Sequence, residues 1–178
     1  MKSSIALIGF MGSGKTKVGK ALAQKLDKRF FELDPMIEEK AGKTIPEIFR
    51  EAGEIAFREL EIAVTKEVAE EKNAVIACGG GVVLNKINID RLKQEAVIVY
   101  LTASPGVILK RTARDTEERP LLKVADPAAQ IRKLLKYRQP FYERAADITI
   151  NTSKLDINSV VEQIITRIRE HESTNRAK

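Results

Sequence analysis

Near its amino end the chain carries the run Gly9–Thr16, GFMGSGKT, which matches GxxxxGK[ST] at every constrained position. Each residue type in this spacing has a chemical reason. Glycines let a backbone wrap closely around a phosphate with its N–H groups turned inward, and the N-terminus of a following helix adds positive dipole. The lysine can bridge β- and γ-phosphate oxygens, and the terminal hydroxyl can ligate Mg²⁺. The candidate nucleotide contacts are therefore Gly12, Ser13, Gly14, Lys15, Thr16 and Lys17. A motif of this kind implies a nucleoside triphosphate with Mg²⁺; it does not say where the phosphoryl group goes.

Other residues could supply the acceptor side. Glu32 and Asp34 stand two apart at the end of an apolar run, a spacing that in an extended segment sends both carboxylates the same way. One could hold a metal-bound water and the other orient or deprotonate a hydroxyl; equally, both could cap a helix starting near Pro35. Gly79, Gly80 and Gly81 leave a backbone bare for a ligand or simply make a turn. Arg58 and Arg138 suit bidentate capture of a carboxylate, although each read singly is an ordinary surface arginine. Arg119 lies in the charge-dense stretch 112–126, TARDTEERPLLKVAD, which reads as a loop able to close over a transferring phosphate or as a solvated charge run. Cys78, the single cysteine, reads as a small buried strand residue.

These residues need a scaffold that gathers them. Short apolar runs at Ser4–Ile8, Phe30–Leu33, Ala74–Cys78, Ala96–Leu101 and Ile148–Asn151 alternate with stretches of helical spacing at Lys15–Lys28, Gly53–Glu71, Ser104–Ala113 and Leu155–His171. The pattern predicts an α/β fold with a parallel sheet covered by helices on both faces. Thr44, Ser104 and Asp126 are the expected N-caps. The P-loop, the carboxylates and the triple glycine each follow a predicted strand, at the edge where open parallel sheets bind ligands.

Composition narrows the class. At 178 residues, 43% hydrophobic and 31% charged, the chain suits one globular domain, and its apolar runs are too short to span a bilayer. One cysteine excludes an internal disulfide framework and fits a reducing cytoplasm, and no cleavage-site pattern follows the first apolar run. His171 is the only histidine, so imidazole-based triads are excluded. The net charge of +6 comes with only 5% aromatic residues and no massed basic block, which argues against nucleic acid.

With GFMGSGKT, ELDPMIE, GEIAFRELE, ACGGGVV, RTARDTEERPLL and LLKYRQPFYERAAD in order and in register, the chain resembles shikimate kinases over nearly its whole length. The resemblance implies a P-loop sandwich around five parallel strands, in a single domain at 1–172 with a substrate lobe at about 32–62, a lid at about 112–126 and a frayed tail at 173–178. It implies transfer of the ATP γ-phosphate to the 3-hydroxyl of shikimate, in a monomer. Asp34 would bind the acceptor hydroxyls and act as base; Arg58 and Arg138 would hold the shikimate carboxylate. Gly79, Gly80 and Gly81 would meet shikimate through backbone, and Phe49 and Phe57 would line its pocket. Lys15 and Arg119 would stabilise the phosphoryl group in flight, Thr16 would ligate Mg²⁺ with Glu32 acting through water, and Arg111 and Thr152 would border the adenine. The family usually carries Asp at position 32, and the adenine loop NTSKLDIN is a loose match.

Overall fold

Five short strands, rich in aliphatic and β-branched residues, pair into one sheet: β1 (Ser4–Ile8), β2 (Arg29–Glu32), β3 (Ala74–Ala77), β4 (Ala96–Thr102) and β5 (Ile148–Asn151). Their order is β2-β3-β1-β4-β5, and every neighbouring pair is parallel. The structure, a computed structural model, describes residues 2–115 and 119–176. Parallel pairing needs long crossovers, which here are helices: α1 (Lys15–Leu26), α2 (Leu33–Ala41), α3 (Ile45–Val68), α4 (Lys86–Glu95), α5 (Pro105–Arg114), α6 (Pro127–Ala145) and α7 (Ile157–Arg176).

The central strands β1, β3 and β4 are buried along nearly their whole length because both faces are covered, whereas the edge strands β2 and β5 are partly exposed. On β4, Ile98 and Tyr100 enter one core while Val97, Val99 and Leu101 enter the other. The first core is closed by Leu33 and Ile37 of α2, Val64 and Val68 of α3, Leu92 of α4 and Tyr142 of α6. Val18 and Leu22 of α1 and Val160 and Ile164 of α7 close the second.

All three expected N-caps form. The Thr44, Ser104 and Asp126 side chains accept from the backbone N–H groups of Glu47, Val107 and Ala129, and Glu47 returns a bond to Thr44 in a capping box.

Several boundaries differ from the sequence reading. β2 ends at Glu32 and α2 begins at Leu33, so Asp34 stands in the first helical turn rather than in an extended run. α3 begins at Ile45, before the expected Gly53; Gly53 itself (φ 80°, ψ 178°) is a kink inside the helix, where a glycine was read as its start. α4 was not anticipated, because its sequence is polar apart from the buried Ile89 and Leu92 and the exposed Ile87. Within the expected lid, residues 112–114 finish α5 and Pro120–Leu122 form a 3₁₀ turn, while 116–118 lie outside the described residues. α7 runs on to Arg176, through most of the expected tail; 177 and 178 lie outside the described residues.

For the site, the consequence is geometric. The carboxyl ends of β1, β2, β3 and β5 deliver the P-loop, Glu32, the triple glycine and Thr152 to one edge of the sheet.

Candidate active site

The P-loop turns from β1 into α1 through Gly14, which caps the helix with φ 98°, a conformation that disfavours any side chain. The Ser13 N–H donates to Phe10 O at 3.1 Å, closing the loop on itself. Lys15 folds back over the loop and donates to the carbonyls of Gly9 (2.8 Å) and Phe10 (3.0 Å). Burial lowers its ammonium to about 8, partly countered by the Asp34 carboxylate and reinforced by Arg119, while Arg138 adds a smaller repulsion. Residues far apart in the chain thus act on one lysine.

The Thr16 hydroxyl donates to the Glu32 carboxylate. Glu32 occupies the N-cap position of α2 yet makes no side-chain capping bond. Its carboxylate is turned to the P-loop instead of capping the helix. Lys17, one residue further along α1, is exposed.

Across the cleft, α2, α3, α6 and the glycine turn converge. Arg58 donates to Glu61 at 2.9 Å and to Glu54 at 3.0 Å, and its guanidinium lies 5.0 Å above the Phe57 ring. Phe57 in turn packs on Phe49, with ring centroids 4.9 Å apart. A Cβ on Gly81 would collide with that guanidinium, so only glycine allows the approach. A Cβ on Gly79 would stand about 3 Å from both Glu61 Oε2 (3.0 Å) and Asp34 Oδ1 (3.1 Å). A Cβ on Gly80 would meet Met11 N (3.3 Å) and Gly9 O (3.6 Å) of the P-loop and Arg138 Nη1 (3.7 Å). Arg138, only 3% exposed, also lies 5.7 Å over the Phe10 ring.

Glu61 is the residue that sequence reasoning missed. Its side chain is fully buried within α3, and its Oε2 has no hydrogen-bond partner among the described residues. Burial raises its carboxyl above the ordinary range, opposed by Arg58 and by the more distant Arg138, and Asp34 pushes it further up. The signal was available: Glu61 follows Arg58 by three residues, the spacing of one helical face.

On the opposite flank, Arg111 of α5 donates to Gly12 O (3.1 Å), Thr152 Oγ1 (3.1 Å) and Thr152 O (3.0 Å). The Thr152 hydroxyl bridges to Ser13 O at 3.2 Å and Thr102 O at 3.0 Å. Arg111 and Thr152 therefore tie α5 and the end of β5 to the P-loop. Arg119 pairs with Asp115 at 3.0 Å. Cys78 is buried beside the glycine turn, and burial pushes its thiol up to about 12, as suits an unreactive packing residue.

A phosphate cradle facing a buried, arginine-rich pocket is a distinctive pairing, and comparison with known proteins decides the family. The family model for shikimate kinase matches residues 11–169. The chain belongs to the shikimate kinase family. A shikimate kinase from Caldanaerobacter subterraneus subsp. tengcongensis is 48% identical over 91% of this chain and 94% of its own length. One from Thermodesulfovibrio yellowstonii is 45% identical over 98% of each chain. The solved structure of shikimate kinase from Acinetobacter baumannii in complex with shikimate superposes with a TM-score of 0.90 at 40% identity, covering 94% of this chain and 93% of that one. As a member, this chain is an ATP-using small-molecule phosphotransferase on a P-loop α/β scaffold. Among the described residues, no helix is long and apolar enough to cross a membrane.

Proposed function

We propose that the chain transfers the γ-phosphoryl group of ATP to the 3-hydroxyl of shikimate, giving shikimate 3-phosphate and ADP, with Mg²⁺ as the metal. One observation carries the acceptor assignment: Asp34, Arg138 and the Arg58–Glu61 pair gather around the triple glycine, and Asp34 and Arg138 lie within electrostatic reach of Lys15. A carboxylated polyol fits such a pocket. Arg58 and Arg138 take the carboxylate, and Gly79, Gly80 and Gly81 let the ring approach bare backbone. Phe49 and Phe57 form the apolar wall. Asp34 accepts the proton of the attacking hydroxyl as its oxygen bonds to the γ-phosphorus and the bond from phosphorus to the ADP oxygen breaks.

The joined Thr16 hydroxyl and Glu32 carboxylate are hard oxygen donors of the kind Mg²⁺ prefers. Thr16 would ligate the ion directly, with Glu32 reaching it through a water. The ion, when bound, neutralises charge on the β- and γ-phosphates. Lys15 and Arg119 stabilise charge on the phosphoryl group in transit, and the segment carrying Arg119 closes to exclude water, limiting idle hydrolysis. Gly12, Ser13, Gly14 and Lys17 meet the phosphates from the P-loop side, with Arg111 and Thr152 at the adenine.

We place the enzyme in the cytoplasm as a monomer with no nucleic-acid or membrane partner, in keeping with its lone buried cysteine and scattered basic residues. The test is a steady-state assay with ATP and Mg²⁺: ADP formation must depend on shikimate. ADP released at the same rate without shikimate would remove the assignment, as would a preference for gluconate or a nucleoside monophosphate in an acceptor panel.

A further inference from the structure

Beneath the glycine turn lies a side chain that the phosphoryl-transfer scheme does not use. Tyr142, on α6, has no exposed surface, and its hydroxyl donates to the Gly80 carbonyl. Arg138, one helical turn earlier on the same helix, brings its guanidinium beside both the phenol and Gly80. A phenol has one donor and two acceptor lone pairs, so it can give its proton to a carbonyl while receiving an N–H from a guanidinium. The ring cannot drift, because it stacks on Tyr100 with centroids 4.9 Å apart and an interplanar angle of 17°.

Two consequences follow from elementary geometry. The chain has no cis peptide bonds among its described residues, and in a planar trans peptide the C=O and N–H point in opposite directions. Holding the Gly80 carbonyl down on Tyr142 therefore turns the Gly81 N–H away from α6. Glycine has no side chain to resist rotation of that peptide, so an external anchor is what fixes it. Gly80 also abuts the P-loop at Met11 and Gly9, so the anchored residue is the joint between the acceptor turn and the phosphate cradle.

We propose that Tyr142 is a positioning residue for the acceptor: one buried hydroxyl sets the Gly80–Gly81 peptide and the Arg138 guanidinium relative to each other. Tyr142 touches no substrate; it acts through two groups that do. This inference rests on the shikimate reading of the pocket, and its test separates the two.

Tyr142→Phe removes the hydroxyl and keeps the ring and its stack. The expected result is a rise of about tenfold in both the KM and the calorimetric Kd for shikimate, since the lost bond orients ground-state contacts. The KM for ATP stays within about twofold. Tyr100→Phe, which removes the hydroxyl of the stacked partner, leaves both KM values unchanged. In an Arg138→Ala background, Tyr142→Phe costs less than about threefold, because part of its effect passes through Arg138. Saturating ADP during calorimetry keeps a weakened variant folded by mass action. A shikimate KM within twofold of wild type overturns the proposal, and so do equal rises in both KM values, which are the mark of general loosening. If the wild-type protein shows no shikimate dependence, the functional reading fails and this inference falls with it; if wild type responds and Tyr142→Phe matches it, only the inference fails.

Discussion

The two sides of the cleft are built from different materials. On the nucleotide side, polar side chains mostly grip backbone: Lys15 on Gly9 and Phe10, Arg111 on Gly12 and Thr152, Thr152 on Ser13 and Thr102, beside the side-chain bonds Thr16 to Glu32 and Arg111 to Thr152. On the acceptor side, side chains grip one another: Arg58 is held between Glu54 and Glu61, and Glu61 feels Asp34 and Arg138. Backbone acceptors are present whatever the residue type, so the cradle depends on a few positions. A charge network in a buried pocket depends on all its members, because removing one leaves another charge without compensation. The nucleotide side should therefore respond to substitution locally and the acceptor side collectively.

The largest effect should break the comparison cleanly at its centre. Lys15→Ala is expected to lower kcat by about 10³-fold or more, since the lost charge acts on the group in flight. Shikimate affinity, measured by calorimetry, should change little. If shikimate binding disappeared as well, the two sides would form one unit and the contrast would be wrong.

Arg58→Ala tests the collective side. Glu61 would be left fully buried without its main counter-charge, so stability should fall by about 3 kcal/mol in urea denaturation, the scale for breaking a buried pair. The shikimate KM should rise about 10- to 100-fold with the ATP KM unaffected. Adding Glu61→Leu should restore most of the stability and none of the shikimate affinity. That split distinguishes a residue that binds substrate from one that balances it.

The contrast also explains what was legible in the sequence. The cradle is contiguous, and its chemistry could be read from the spacing in Gly9–Thr16 alone, with the strand before it and the helix after it. Strand positions were legible to within a residue or two because the central runs, buried on both faces, are almost continuously apolar and the edge runs keep a short apolar core. The acceptor pocket was not legible from local pattern. Arg58, Arg138 and Asp34 sit on three helices; each arginine alone reads as a surface charge and Asp34 alone as equally a helix cap, and only the register of several motifs together linked them. Glu61 stayed hidden because a glutamate in an amphipathic helix is ordinarily solvated, and tertiary packing alone buries this one. Likewise α4 was missed, since its few buried side chains leave a weak helical stripe.

Arg111→Ala should produce a smaller, local effect. It removes contacts to Gly12 and Thr152 that neutral acceptors share, so the ATP KM is expected to rise about fivefold to tenfold, near 1 kcal/mol. The shikimate KM should hold. A matched rise in both would mean that the nucleotide side transmits strain across the P-loop.

The finest test is a count of protons. Burial holds Lys15 near 8 in the unliganded protein, against 10.5 for an ordinary lysine. The folded state then binds fewer protons than the unfolded state between those values, so this residue's share of stability rises as pH climbs from about 8 to 10.5; below 8, the charged buried ammonium is a cost. ATP phosphates beside Lys15 favour the charged form and raise its pKa again. At pH 8.5, a lysine of pKa about 8 is roughly one-quarter protonated, so ATP binding should take up about 0.7 proton. Calorimetry in buffers of different ionisation enthalpy reads that number directly. Lys15→Met should abolish the uptake, whereas Arg58→Ala on the acceptor side should leave it intact. Equal uptake in the wild-type and Lys15→Met proteins would place the titrating group elsewhere and detach the cradle's electrostatics from this lysine.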